Sequence, residues 1–318
     1  MKRHCANVHD LADKTHLARD LWPEKLGQVH QERDLTVATL PDARKLPEEL
    51  EELAEWLWVD RQDALSQALV YVHGDVEGTG TSSGNNAPVE LVLRIQGVIA
   101  DMNVAIGGDW DGTEVNAKRA NQHLTLVSGG CSAAFDPQVR AVKALREAVL
   151  AQLGKHDDRQ RGRMDGGIVL RRRVFTKIRP DINDHLPTVI RDADDPRGRF
   201  KAIANHWRPT EKLQAGTQLA HGEIFAVNPL SLRKGDLVDV SARVVVAFTR
   251  GVHGRRYEMS IEPMIIVRLA SASTVQVRTP QHRFVSCSKA RSSAFSRRSS
   301  QEQTVRRRAP AARLRRRR

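Results

Sequence analysis

"GDLVDVSARVVVAFTRGVHGRRYEMSIEPMIIVRL" (Gly235–Leu269) is the stretch on which the fold turns. In its first half Val238, Val240, Ala242, Val244, Val246 and Phe248 are all even-numbered, so they share one face of an extended strand. In its second half the apolar set is odd-numbered: Tyr257, Met259, Ile261, Ile265, Val267 and Leu269. A turn centred between Val252 and His253 sets Phe248 opposite Tyr257, Val246 opposite Met259 and Val244 opposite Ile261. The same register sets Arg243 opposite Glu262 on the other face, as an opposite-charge cross-strand pair. Two independent features agree, and together they predict a long hairpin over 236–269. Pro263 brings no amide donor, so its arm is expected to bend, bulge or lie at an edge there. Arms this much longer than the usual strand of about five or six residues tend to curl, as in small barrels.

Upstream of the hairpin, "IVLRRRVFTKI", "RFKAIANHW" and "EIFAV" read as three further strands. With the two arms they make five, the number of a small barrel or sandwich, and assign a mainly-β domain to 167–270. The charged, rhythmless run at 155–166 reads as a linker. Before it, "DPQVRAVKALREAVLAQLG" (Asp136–Gly154) reads as a helix, with Asp136 as cap, Pro137 in the first turn and Gly154 as the stop. Val142, Leu145, Val149 and Leu153 form its apolar stripe.

A second helix is expected to begin at Leu46 in "LPEELEELAEWLWVDRQDALSQALVYV", where Leu46, Leu50, Leu53 and Leu57 recur at helical spacing. The Gly/Ser/Asn run at 74–88 reads as a flexible loop, since neither a G-x-G-x-x-G spacing nor a closing Lys-Ser/Thr is present. "VELVLRIQGVIADMNVAI" is either a strand pair or a short buried element, and "GGDWDG" (Gly107–Gly112) is a turn lacking the further ligands of a calcium loop. Residues 1–45 are polar and weakly patterned, and 46–154 is the helix-containing region. The fold class expected is therefore α+β: a helical, partly disordered N-terminal region, then a mainly-β small barrel or sandwich.

The charge is distributed unevenly. Of 51 Lys and Arg, 14 lie in Ser271–Arg318 beside a single acidic residue; the other 37 face 37 acidic residues in Met1–Ala270. The whole net charge of +13 thus belongs to an Arg/Ser-rich tail, 271–318, expected to be disordered. Three readings of that tail stand: a nuclear localisation signal, an arm that attracts polyanions, or an artefact of the gene model. No run of about 18 apolar residues occurs and the first residues lack an apolar core, so neither a membrane partner nor a secretory leader is expected. Cys5, Cys131 and Cys287 are too scattered for a disulfide framework or a zinc pattern, which suits an intracellular setting with the nucleus as one location.

No catalytic motif emerges. The 12 histidines form no H-E-x-x-H, and Cys131, although it precedes a helix, has no histidine spaced as a partner. His4, Cys5 and His9 cluster without a second ligand pair, so neither a metal nor a cofactor is expected. Single-strand nucleic-acid binders combine a basic groove with stacking aromatics. Arg171, Arg173 and Phe175 in "RRRVFTKIR", Trp207 in "RFKAIANHWR", and Arg255 and Arg256 at the hairpin tip supply those residue types. These six are the candidate nucleic-acid contacts. The alternative is a protein-interaction domain without a nucleic-acid role, whose partner is another protein.

"FAVNPLSLRKGDLVDVSARVVV" and the hairpin after it resemble a recurrent unit of uncharacterised proteins of mushroom-forming fungi. There an aromatic–x–x–Asn-Pro segment precedes a Gly-Asp-x-Val-[Asp/Glu]-Val strand. The resemblance covers Pro209 to Leu269 and implies lineage rather than chemistry. In outline the unit is also similar to the first hairpin of oligonucleotide-binding (OB-like) barrels, a fold-level likeness.

Overall fold

The strands, in chain order, are β1 (Asn7–Asp10), β2 (Leu57–Val59), β3 (Gln67–Val72), β4 (Val89–Asn103), β5 (Asn121–Val127), β6 (Gly167–Arg173), β7 (Phe175–Lys177), β8 (Trp207–Pro209), β9 (Gln214–Gln218), β10 (Ile224–Val227), β11 (Leu237–Gly251) and β12 (Gly254–Ala270). The helices are α1 (Leu50–Trp56), α2 (Glu114–Ala117), α3 (Ser132–Gln152) and α4 (Arg199–Ile203). The structure is a computed structural model describing residues 7–29, 33–40, 44–47, 49–59, 67–72, 89–154, 166–178, 190–251 and 254–275. The chain divides into two compact units, Met1–Pro280 and Gln281–Arg318, and the described residues all belong to the first. The linker and loop expected at 155–166 and 74–88, and the tail beyond Val275, lie almost wholly outside the described residues.

The α+β class is what the structure has. A ten-stranded sheet follows the order β10-β9-β12-β11-β3-β4-β5-β6, with β1 and β2 added on β4 and β3. It is open: β6 lies beside β12, but no ladder joins them. β4 and β5, from the region expected to carry helices, are central strands of the same sheet as β6, β11 and β12. The boundary drawn at 155–166 therefore does not separate a helical part from a β part. Residues 10–29, expected to be weakly ordered, place Leu11, Leu17, Trp22 and Val29 in the interior.

The hairpin has the register its alternation predicts. Phe248 faces Tyr257, Val246 faces Met259, Val244 faces Ile261 and Arg243 faces Glu262. Arg243 donates to Glu262 from Nε and Nη2 at 3.0 and 2.8 Å. Pro263 sits at a bulge, where the partner of Ser241 is Ile265 and that of Ala242 is Pro263. The extra residue reverses the parity of the strand beyond it. Ile266 is therefore fully buried while Ile265 is exposed, which corrects the odd-numbered face expected beyond Pro263.

Other elements differ for physical reasons. The long helix expected from Leu46 is only α1, because Leu57 and Val59 alternate with Trp58 as a strand. Trp58 faces Tyr71 of β3, with ring centroids 5.6 Å apart. "RFKAIANHW" is not a strand: Phe200 and Ile203, three apart, are the buried face of α4, and β8 begins only at Trp207. The α3 stripe of Val142, Leu145, Val149 and Leu153 is buried as expected. The helix nevertheless starts at Ser132, so Asp136 is not its cap and Pro137 lies inside it. Gly97 in β4 admits the Phe135 ring of α3, since a Cβ there would stand 2.9 Å from Phe135 Cε2.

The "NP…GDLVDV" residues have structural work to do. Asn228 caps the following turn by accepting from the Leu230 amide, with Pro229 in the first position. Gly235 adopts φ +91°, and a Cβ there would meet Ala272 Cβ at 2.9 Å. The buried Asp236 carboxylate accepts from the amides of Arg233 and Ala272, each at 2.9 Å. Asp239 holds Arg94.

Candidate nucleic-acid interface

Both faces are covered over 91–99 of β4 and 237–240 of β11. Leu91, Leu93 and Ile95 point to the main core, with Val238, Val240, Val244 and Val246 of β11 and Leu145 and Val149 of α3. Each such side chain contributes about 1.5–3 kcal/mol by leaving water. The opposite face carries Arg94, Gln96 and Val98, and residues 10–29 lie over it. Asp10 approaches Arg94, Gly27 accepts from Gln96 Nε2 at 2.7 Å, and Trp22 packs with Val98 and Leu237. The polar groups beneath are tied together. Arg94 makes two bonds to Asp239, at 3.2 and 2.7 Å, and Gln96 Nε2 reaches the same carboxylate at 2.6 Å. Burial alone would lower the Arg94 pKa, but Asp239 and Asp10 outweigh it and hold the guanidinium above its ordinary range. Burial pushes the Asp10 carboxyl up, and Arg94 offsets only part of this.

That covering reaches β5 at Val127, which packs against the Trp22 cluster. β5 alternates strictly, with Gln122, Leu124 and Leu126 inward and Asn121, His123, Thr125 and Val127 outward. On β6, Ile168, Leu170 and Arg172 are buried, whereas Val169 and Arg171 are exposed and Arg173 is half-buried. The ladders align these residues in rows: Asn103, His123 and Arg171 in one, Asp101, Thr125 and Val169 in the next, with Asn121 beside Arg173 at the end. Asp101 is outward because β4 bulges at Ala100. Lys234 Nζ reaches Asp101 Oδ1 at 2.6 Å, and His123 Nε2 lies 3.2 Å from Asp101 Oδ2. The bonds from Lys234 and then His123 hold the Asp101 carboxyl below its ordinary range.

Of the six candidates, Arg171 and Arg173 share this outward face. Phe175 does not: the alternation of β6 ends at Val174, and the Phe175 ring is buried in a satellite cluster. Its centroid lies 4.8 Å from Trp110 and 5.5 Å from Phe200, so it presents no face to a base. Trp207 is half-buried against the same cluster and faces Lys177 across the two-stranded β7–β8 sheet. The backbones of Arg255 and Arg256 open β12, opposite Arg250 and Thr249, and their side chains lie outside the described residues. Sequence reading missed Asn103, His123 and Lys234. The alternation of "NQHLTLV" was the signal that could have placed His123 outward. Among the described residues no group of three His, Cys, Asp or Glu is placed to hold a metal ion, and no helix is long and apolar enough to cross a membrane.

No family model matches the chain, and no curated protein matches it. Among solved structures, it is similar to a single-stranded DNA-binding protein from bacteriophage Enc34 (a C-terminal truncation). The identity is 12% and the TM-score 0.26, over 69% of this chain and 97% of that one. A likeness at that TM-score carries no argument about this protein.

Proposed function

We propose that the chain binds single-stranded nucleic acid through an OB-like arrangement of β4, β5, β6, β11 and β12. The observation that carries this reading is the order of pairing. β4 pairs with β5 and β11, β5 with β6, and β11 with β12, all antiparallel, while β12 lies beside β6. Counted along the chain, the first strand of this set meets the second and fourth, and the third lies next to the fifth. That is the connectivity of the OB barrel, in which the face of the second and third strands takes the oligonucleotide. Here those strands are β5 and β6, and their outward face carries His123, Arg171 and Arg173. Among the described residues the covering by residues 10–29 meets the outward side of β5 at Val127, and Arg171 is exposed. Half-buried Trp207 is the aromatic nearest to a stacking role. The Arg-rich tail would add sequence-independent attraction, and a nuclear location would follow if it also acts as a localisation signal.

The test is binding of a fluorescent oligo-dT 20-mer across a salt series, by the full chain and by a chain ending at Pro280. The shorter chain is expected to bind. Arg171→Ala with Arg173→Ala should weaken it and flatten the log–log salt slope by about 1.4, two single-strand phosphate contacts. If only the full chain binds, and the double substitution changes nothing, the sheet is not the site. A protein-interaction reading rests on a different observation. The edge strand β10 and its flanks expose Leu219, Ile224, Phe225 and Leu230, with no charged residue within the strand.

A further inference from the structure

We propose that Asp101 holds the place of a phosphodiester group on the β4–β5–β6 face, so that a bound strand must displace it from Lys234 and His123. This deepens the nucleic-acid reading and rests on it. The Asp101 carboxylate gives each oxygen to a different donor: Oδ1 to Lys234 Nζ at 2.6 Å and Oδ2 to His123 Nε2 at 3.2 Å. Two oxygens bridging two separate nitrogen donors is also what the non-bridging oxygens of a phosphodiester can do. The three side chains come from different segments: β4, β5 and the turn that leads into β11. The side chains of Asp101 and Lys234 are 53% and 65% exposed, so the pair can be opened from solvent without disturbing the core.

Arg171 stands next to His123 across the β5–β6 ladder, which makes the strip Lys234, Asp101, His123, Arg171. From β4 to β6 it crosses two strand spacings, about 10 Å. Asp101 is the one carboxylate of this strip, and it sits between the cations rather than at an end. A strand laid across Arg171 and Arg173 towards Lys234 therefore meets Asp101 on its path. Exposed ion pairs of this kind are weak and salt-sensitive, so exchanging a carboxylate partner for a phosphate is energetically accessible. The consequence is a site screened by its own side chain: Asp101 keeps Lys234 placed and lowers the affinity of the face for polyanions.

The experiment measures binding of oligo-dT and oligo-rU 20-mers by the full chain, its Asp101→Asn variant and a Glu223→Gln control, from 50 to 300 mM salt. Glu223 is also paired with a histidine, His221, at 3.0 Å, but on the β9–β10 turn. Asp101→Asn is expected to tighten binding about three- to fivefold at low salt. It should also steepen the salt slope by up to about 0.7, one further single-strand phosphate contact. Lys234→Ala should loosen binding and abolish most of the Asp101→Asn gain. A larger gain with one of the two oligomers identifies which backbone the face takes. If wild type binds and Arg171→Ala weakens it, but Asp101→Asn leaves affinity unchanged or reduced, this proposal is overturned and the nucleic-acid reading stands. An equal gain in Glu223→Gln shows a net-charge effect and also overturns it. If wild type binds neither oligomer, both readings fail together.

Discussion

Gln138 of α3 completes the edge of β4 at Gln96. Its Oε1 accepts from the Gln96 amide at 2.8 Å, while its Nε2 donates to the Gln96 carbonyl at 3.0 Å and to Ala134 O at 2.8 Å. On this edge β1 pairs with Leu91–Arg94 and β5 begins at Val98, so Gln96 falls between two strands. One side-chain amide thus does the work of a missing strand residue, and it is wholly buried.

Replacing Gln138 with Leu should cost about 2–4 kcal/mol, because two buried backbone groups lose their partners and the apolar side chain supplies none. Urea unfolding followed by tryptophan fluorescence reads the loss as a lower midpoint with an unchanged slope. Oligonucleotide affinity, measured where both proteins are folded, should not change.

Asp239→Ala should destabilise by about 3–5 kcal/mol, since it takes from the buried Arg94 guanidinium the carboxylate that makes two bonds to it. The double variant Arg94→Met with Asp239→Leu should lose less than the sum of the two single losses, although Asp10 and Gln96 each still give up a partner. A double-mutant cycle on unfolding free energies provides the check. Additive losses would show that the pair is not coupled.

Asp10 gives a pH dependence with a defined sign. Burial raises its folded pKa above the ordinary 3.8, so between those two values the folded protein holds more proton than the unfolded chain. Stability contributed by protonated Asp10 is present below pH 3.8 and is lost as pH rises through the folded pKa. Asp10→Asn should therefore stabilise the protein at neutral pH, with the advantage shrinking on acidification. Urea midpoints of the two proteins between pH 4 and 7 should converge at the acid end.

The Pro263 bulge makes a prediction about neighbours. Ile266→Ala should cost about 2–5 kcal/mol, as expected for emptying a fully buried site. Ile265→Ala, one residue away on the exposed face, should cost a small fraction of that. Thermal melts of the two variants separate the observed parity from the unbroken one.

The hairpin was legible because its evidence is local. Alternation and the Arg243–Glu262 pair lie within one stretch, and both are set by a period of two. Pro263 marks the bulge, but the parity of Ile265 and Ile266 depends on which residue the ladder leaves unpaired, and that is set across the two strands. Leu53 and Leu57 fit a helix or a helix followed by a strand equally well. Only the pairing of β2 with β3 decides between them. Phe175 and Phe200 share a cluster with Trp110 that joins three separate segments, so no single stretch of sequence reports their burial. The face around His123 needed β4, β5 and the Lys234 turn brought together, and no window of sequence reports that. Arg171 and Arg173 were recognisable from spacing alone, since i and i+2 on a strand share a side.

The pairing of β4 with β11 also has a consequence in time. Arg94 and Asp239 are 145 residues apart, and β4 cannot acquire its main neighbour until β11 has been made. At ordinary rates of synthesis that is a wait of roughly 7–30 s. Throughout it, Leu91, Leu93 and Ile95 on the nascent chain have no β11 to shelter them. The apolar face of β4 therefore closes late, after most of the chain has been made.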